Sequence, residues 1–285
     1  MQIGAIARWL RRDVRPWQGD LSWATASGRG HDVVMLHGLA ASHECWDGAR
    51  LRLGPNMRLH LVQMRGFAGS EPSPERARGN FLKPMADELA DYVRAEAQGP
   101  VSLVGHSMGG LVSLILARDH PDVLARLMVV DVPSFFSVLI NPFATAPMFV
   151  GLAEAARRRY LSRDAVDLED DLRRTVARLV TDPVEVEKIV RWGVLSDQAT
   201  TADIMAEVMT SDLRPDLPKI GVPTDIIYAW DRAAAIGQRG LDQTYASAYA
   251  GLPEHRLLRV DAARHYIMLD QPDAFYRAMR AWLQR

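Results

Sequence analysis

Short, nearly uninterrupted apolar runs recur along this chain, each closed by a turn residue. Val33-Val34-Met35-Leu36 ends at His37-Gly38, and Leu59 to Met64 ends at Arg65-Gly66. Val101 to Val104 ends at Gly105, Leu127 to Val130 at Asp131, and Ile226 to Ala229 just before Asp231; Arg256 to Val260 closes the series. Runs this short, rich in Val and Ile, predict strands covered on both faces of a parallel sheet. Between them the period changes. Leu82, Met85, Leu89 and Val93 fall three and four apart and make one helical face, and Leu111 to Ala117 is apolar nearly all round. Pro272 suits the first turn of a last helix carrying Phe275, Met279, Trp282 and Leu283. Alternating strand and helix predicts an α/β fold with a mostly parallel central sheet flanked by helices.

One stretch breaks the alternation. From Ser134 to Leu217 no strand pattern appears. It opens with Phe135-Phe136, Pro142-Phe143 and Pro147-Met148-Phe149, then turns to charged helical segments such as Arg157-Arg158-Arg159 and Glu169-Asp170-Asp171, with Val184 to Val194 also helical. The charged triplets read as solvated helix faces. A helical cap over residues 134–217, inserted into a core built from 1–133 and 218–285, explains the break. There is no internal repeat and no linker long enough to part independent domains.

Composition narrows the picture by exclusion. Lys plus Arg (34) nearly cancels Asp plus Glu (35), so no broad positive field exists and a nucleic-acid partner is not expected. The single cysteine, Cys45, can form no internal disulfide and cannot build a cysteine metal site. Met1 to Asp20 mixes Ile3, Ile6, Trp9 and Leu10 with Arg8, Arg11, Arg12 and Arg15, which is not the apolar core of a signal peptide. Contact of this basic stretch with an anionic membrane is the alternative to a plain surface segment. With no apolar run of membrane-spanning length, the expectation is a soluble cytoplasmic protein with no membrane partner.

Chemistry enters at Gly105-His106-Ser107-Met108-Gly109, followed by Gly110. This G-x-S-x-G lies between a predicted strand and a predicted helix, the setting that gives the pattern its meaning. A serine on so tight a turn needs small neighbours two residues away on each side, which Gly105 and Gly109 supply, and the helix start behind it favours negative charge in front. No G-x-G-x-x-G fingerprint, phosphate loop or H-E-x-x-H pair occurs, so neither a cofactor nor a metal is expected.

On these residues the sequence resembles the α/β-hydrolase superfamily, of the capped, esterase-like type, from Asp32 onward. The resemblance extends to His37-Gly38-Leu39-Ala40-Ala41-Ser42, similar to the family's oxyanion loop. It implies that the backbone N–H groups of Leu39 and Met108 hold an oxyanion, a task suited to donors fixed before reaction. Gln63-Met64-Arg65-Gly66-Phe67-Ala68-Gly69-Ser70 resembles the family's D-x-R-G-x-G-x-S turn, with Gln63 in place of the aspartate and Ala68 in place of a glycine.

A serine hydroxyl needs a base, and eight histidines compete. His265 follows the last predicted strand and precedes the final helix, similar to the family's catalytic-histidine segment, although Arg264 stands where a glycine is usual. His106 and His37 are read as supports within their loops; His31, His43, His60, His120 and His255 as surface or core residues. For the acid that orients His265, Asp231 in Tyr228-Ala229-Trp230-Asp231-Arg232 is the expectation, giving the chain order Ser, Asp, His. The segment lacks its usual glycine. Asp131, closing the strand before, is the competitor, and Asp261 a third choice.

The reading is a serine hydrolase cleaving a small, largely apolar carboxylic ester through an acyl-enzyme. Ser107, Asp231 and His265 are the expected triad, with Phe135, Phe136, Phe149, Trp230 and Tyr266 as an apolar substrate lining. Lactonase, carbon–carbon bond hydrolase and cofactor-free perhydrolase share such a triad. A ligand-binding protein on the same scaffold is the alternative of another class.

Overall fold

In a computed structural model of the protein, residues 17–74 and 80–285 are described. The basic stretch over the first 16 residues therefore lies outside the described part. The strands are β1 (Trp17–Gln18), β2 (Ser22–Gly28), β3 (His31–Leu36), β4 (Met57–Met64), β5 (Val101–His106), β6 (Leu124–Val130), β7 (Thr224–Trp230) and β8 (His255–Asp261). They form one sheet in the order β1-β2-β4-β3-β5-β6-β7-β8. β1 with β2 and β2 with β4 are antiparallel; every pairing from β4 to β8 is parallel. The α/β architecture with a mostly parallel sheet is thus present, extended at one edge by an antiparallel pair ahead of the first expected strand.

The helices are α1 (Asp47–Arg52), α2 (Leu82–Glu96), α3 (Met108–Asp119), α4 (Ala146–Leu161), α5 (Ala165–Val176), α6 (Pro183–Val194), α7 (Gln198–Thr210), α8 (Gln238–Tyr249), α9 (Ile267–Asp270) and α10 (Pro272–Leu283). The continuous apolar runs arise because both sheet faces are covered. Val34, Leu36, Leu103 and Val129 join one core with α2, α3 and α8. Their neighbours Val33, Met35, Val104 and Val130 join the other, with α1 and α10. Strand side chains point alternately to the two sides, so a strand buried on both has no polar beat.

Between β6 and β7 lie four helices, α4 to α7. Phe149 and Ala153 of α4 and Ile204 and Val208 of α7 belong to the first core. Val176 of α5 and Ile189, Val190 and Trp192 of α6 belong to the second. The inserted helices thus straddle the sheet. They are also tied to a helix flanking the sheet: the Glu207 carboxylate of α7 accepts the Phe81 and Leu82 N–H groups at 2.7 and 3.0 Å, capping the start of α2. Burial nonetheless keeps the Glu207 carboxyl above its ordinary range, outweighing those two donors. Among the described residues no helix is long and apolar enough to cross a membrane.

Candidate active site

β5 delivers Ser107 into a turn that only tight packing permits. Its backbone sits at φ 54°, ψ −122°, a region that costs an L-residue about 1–3 kcal/mol. The Ser107 N–H donates to the Val130 carbonyl at 2.8 Å, and the Ser107 carbonyl accepts from Gly110 at 2.8 Å, so both strand and helix hold the strain. A Cβ at Gly109 would stand 2.6 Å from the His37 carbonyl oxygen, and one at Gly105 would overlap Gly109 and Ser113. The two glycines are therefore required by close approach of backbone to backbone. A Cβ at Gly38 would lie 3.0 Å from that of Ser107, which puts the His37–Ser42 loop against the turn.

The histidine beside this turn pairs with Asp131 and not with Asp231. His265 Nδ1 lies 2.8 Å from Asp131 Oδ2. A carboxylate only accepts, so Nδ1 carries a proton, and the neutral tautomer this contact selects is the one with its lone pair on Nε2. The second Asp131 oxygen accepts from the Ala229 N–H at 2.8 Å and from the Tyr245 hydroxyl at 3.4 Å. Asp131 has φ 53°, and its N–H reaches the Ile227 carbonyl at 2.8 Å. The expected acid, Asp231, sits one strand further along the sheet and accepts instead from Arg264 Nε at 2.7 Å and the Ala233 N–H at 2.7 Å. Burial works to raise its carboxyl, but the Arg264 guanidinium and two backbone donors outweigh that and hold it below the ordinary carboxylate range. Asp261 accepts from Arg259 Nε at 2.7 Å and is likewise turned away from His265. Arg264, standing where a glycine is usual, was the visible sign that the β7 aspartate has a different partner.

Two buried histidines brace this arrangement. His37 Nε2 accepts the Met64 N–H at 3.0 Å, so its Nδ1–H donates to the Gly38 carbonyl at 2.7 Å. Burial pushes its pKa down to about 3, so it stays neutral and keeps that tautomer. In a trans peptide the carbonyl and the following N–H point opposite ways, so fixing the Gly38 carbonyl also fixes the Leu39 N–H. His106 donates from Nε2 to the His265 carbonyl at 3.0 Å. Its ring lies 4.5 Å from that of His265 and 4.9 Å from that of Tyr266, centre to centre. Burial, with the adjacent His265 adding to it, drives His106 well below its ordinary pKa. Met108 opens α3, where helix geometry leaves the first N–H groups without an intrahelical acceptor.

The two departures in the 63–70 turn are absorbed locally. Gln63 accepts the His43 N–H at 3.0 Å and donates to the Met64 carbonyl at 3.0 Å, so one amide spans the loop in place of a carboxylate. Ala68 has a positive φ (51°), a conformation that favours glycine, and its N–H reaches Ser196 Oγ at 3.0 Å.

The expected apolar lining largely dissolves. Phe135 has no exposed surface, and Phe149 and Tyr266 are buried. Phe135 meets Phe149 edge-on at 6.4 Å and carries Arg214 over its face at 4.9 Å, so α4 and the Arg214 side chain use up the aromatic surface. Tyr266 packs on His106 instead. Phe136 and Trp230 remain half-buried at the edge of the first core. Of the other histidines, His60 is a core residue bonded to Tyr92 at 2.6 Å and Asp32 at 2.7 Å.

A mostly parallel sheet whose strand ends carry a strained serine and a histidine–aspartate pair is the architecture of the α/β hydrolases. Residues 33–278 match the alpha/beta hydrolase family, most of the chain, and the protein belongs to it. Among proteins of similar sequence are the pimeloyl-[acyl-carrier protein] methyl ester esterase of Photorhabdus laumondii, 26% identical over 281 residues covering 93% of this chain and 97% of that protein. The enzyme of the same name from Sodalis glossinidius is 28% identical over 223 residues, covering 74% and 79%. Among solved structures, a thermophilic esterase from Thermogutta terrifontis superposes with a TM-score of 0.75 at 22% identity, covering 92% of this chain and 93% of that one. The enol-lactonase of Burkholderia xenovorans does so with 0.72 at 20%, covering 94% and 99%. These two likenesses concern the fold.

Proposed function

We propose that the protein is a serine hydrolase that cleaves carboxylic esters through an acyl-enzyme, with Ser107 as nucleophile, His265 as base and Asp131 as the orienting acid. The observation that carries this is the 2.8 Å contact between His265 Nδ1 and Asp131 Oδ2 beside a strained elbow serine. Ser107 Oγ attacks the ester carbonyl while His265 Nε2 takes its proton, and the oxyanion forms against the N–H groups of Leu39 and Met108. The carbonyl reforms as the alcohol leaves with that proton. A water molecule then repeats the sequence on the acyl-serine and frees the carboxylic acid. Asp131 keeps the imidazole in the needed tautomer and stabilises the imidazolium that forms.

The ester named for the sequence relatives, a methyl ester on a carrier-bound acyl chain, supports a short alcohol portion as the substrate class. We read residues 134–217 as a cap over the strand ends, the part of the chain in contact with the acyl portion. Ser107→Ala should lower kcat for a p-nitrophenyl ester by about a million-fold, as removal of the nucleophile does in serine hydrolases. A fluorophosphonate should label the parent at Ser107 and leave the variant unlabelled. Retention of most activity by the purified variant sinks the mechanism.

A further inference from the structure

The residues on both sides of His265 are bonded to the inserted helices. Arg264 donates from a terminal guanidinium nitrogen to the Ala177 carbonyl at 2.7 Å and, more weakly, to that of Val180 at 3.4 Å. The Tyr266 N–H donates to the Leu179 carbonyl at 3.0 Å. The Arg264 N–H reaches Asp270 Oδ2 at 2.8 Å, while Asp270 Oδ1 accepts the N–H and the hydroxyl of Thr181, each at 2.7 Å. All of these contacts converge on one turn, residues 177–181, joining α5 to α6. Ala177 follows the last residue of α5, where helix carbonyls are left free and a cation is favoured. A second nitrogen of the guanidinium is also held, since its Nε rests on Asp231 at 2.7 Å. His265 thus hangs between the elbow, through His106 on its carbonyl, and the 177–181 turn, through the residues before and after it.

We propose that Arg264, seated on Asp231, is a positioning residue that couples the inserted helices to His265, so that the imidazole meets Asp131 only while the 177–181 turn is docked. This rests on the reading of His265 as the base. The physical reason is the planarity of the guanidinium. It presents several donors in fixed directions and can hold a carboxylate on one edge and helix-end carbonyls on the other, which a lysine cannot. A substrate that leaves the turn seated is turned over; one that lifts it also displaces the base. The pair Arg264 and Asp231, which stands where the family pattern has a glycine and an acid, thereby acquires a role in substrate choice.

In Arg264→Ala, kcat for p-nitrophenyl butyrate should fall about tenfold or more while KM stays within about threefold, as expected when a base is misplaced. Labelling of Ser107 by a fluorophosphonate should slow by the same factor, because it needs the same base. Arg264→Lys should restore little of either. Hydrogen exchange reads the coupling without activity: the amides of Thr181 and Tyr266 should speed up together. If Arg264→Ala does not fold, Thr181→Val, a change on an exposed turn, should show the same paired exchange and a fall in kcat of about two- to threefold. The proposal is overturned if Arg264→Ala keeps kcat and labelling within about twofold of the parent. It is equally overturned if exchange quickens at Thr181 but not at Tyr266 in either variant. A parent protein that takes no label at Ser107 overturns the serine hydrolase reading instead, and the exchange measurement still decides the coupling.

Discussion

β6 and β7 lie side by side in the sheet, and each is followed by an aspartate, Asp131 and Asp231. What comes after the aspartate differs. Beyond Asp131 the chain dives into the core: Val132 to Phe135 are buried, the Val132 carbonyl accepts the Tyr249 hydroxyl at 2.7 Å, and Ser134 bonds to the Ala248 carbonyl. Beyond Asp231 the chain emerges, and residues 232–235 are exposed. One carboxylate is backed by packed backbone and by Tyr245; the other faces a long arginine across a surface turn. A group that must fix an imidazole to within a fraction of an ångström needs the first kind of support. Both aspartates occupy strand ends, so the surroundings and not the strand-end position separate their roles.

The largest expected effect divides the two directly. Asp131→Asn should lower kcat by about ten-thousand-fold, because an amide in that place favours the wrong imidazole tautomer. Asp231→Asn should lower it by no more than about tenfold, since it loosens only the hold on Arg264. Steady-state kinetics on both purified variants makes the test. If the ranking reverses, the pairing of His265 with Asp131 is not the one that works during turnover.

The rigidity behind Asp131 can be broken from the other side. Phe135→Ala removes a fully buried ring and should cost about 3–5 kcal/mol of stability. Chemical denaturation reads this as a lower midpoint with little change in slope. Were Phe135 a substrate-lining residue instead, the variant would keep its stability and change KM with ester chain length.

The elbow was legible in the sequence because everything it needs is local. A strand, a turn with Gly105 and Gly109 around Ser107, and a helix follow one another without interruption. The strands from β3 to β7 were legible because burial on both faces leaves runs such as Val33 to Leu36 without a polar beat, whereas the half-exposed edge strand β8 showed only through Leu257, Leu258 and Val260. β2 was not legible. Of its residues Ser22 to Gly28 only Ser22 and Ala24 are buried, and small polar side chains carry little apolar signal. The choice between Asp131 and Asp231 depended on how far the loop after β8 folds back past β7 toward β6 and the elbow, which no local pattern contains. Arg264 in a glycine's place and the glycine missing from the Asp231 segment were the available hints, and they belong together, since the arginine is what holds that aspartate. The aromatic cluster misled for a related reason. Phe135 and Phe149 are distant in the chain, and only the docking of α4 onto the first core turns a potential lining into a packed pair.

The smallest effect concerns the β7 end and uses acid to separate it from the rest. The Arg264 guanidinium holds the Asp231 carboxyl below its ordinary range. A carboxyl depressed in the folded state stabilises the fold above its unfolded value of about 3.9, and that contribution is lost as pH falls through the folded value. Asp231→Asn should therefore melt below the parent by a gap that is constant from pH 8 to pH 5 and closes below about pH 4. For one partly screened ion pair worth about 0.2–1 kcal/mol, the gap should be about 1–3 °C. Calorimetry of parent and variant across that range measures it. A gap that begins to close near pH 6 would mean that a group of higher pKa holds the turn, and Arg264 would then owe its place to the Ala177 carbonyl more than to Asp231.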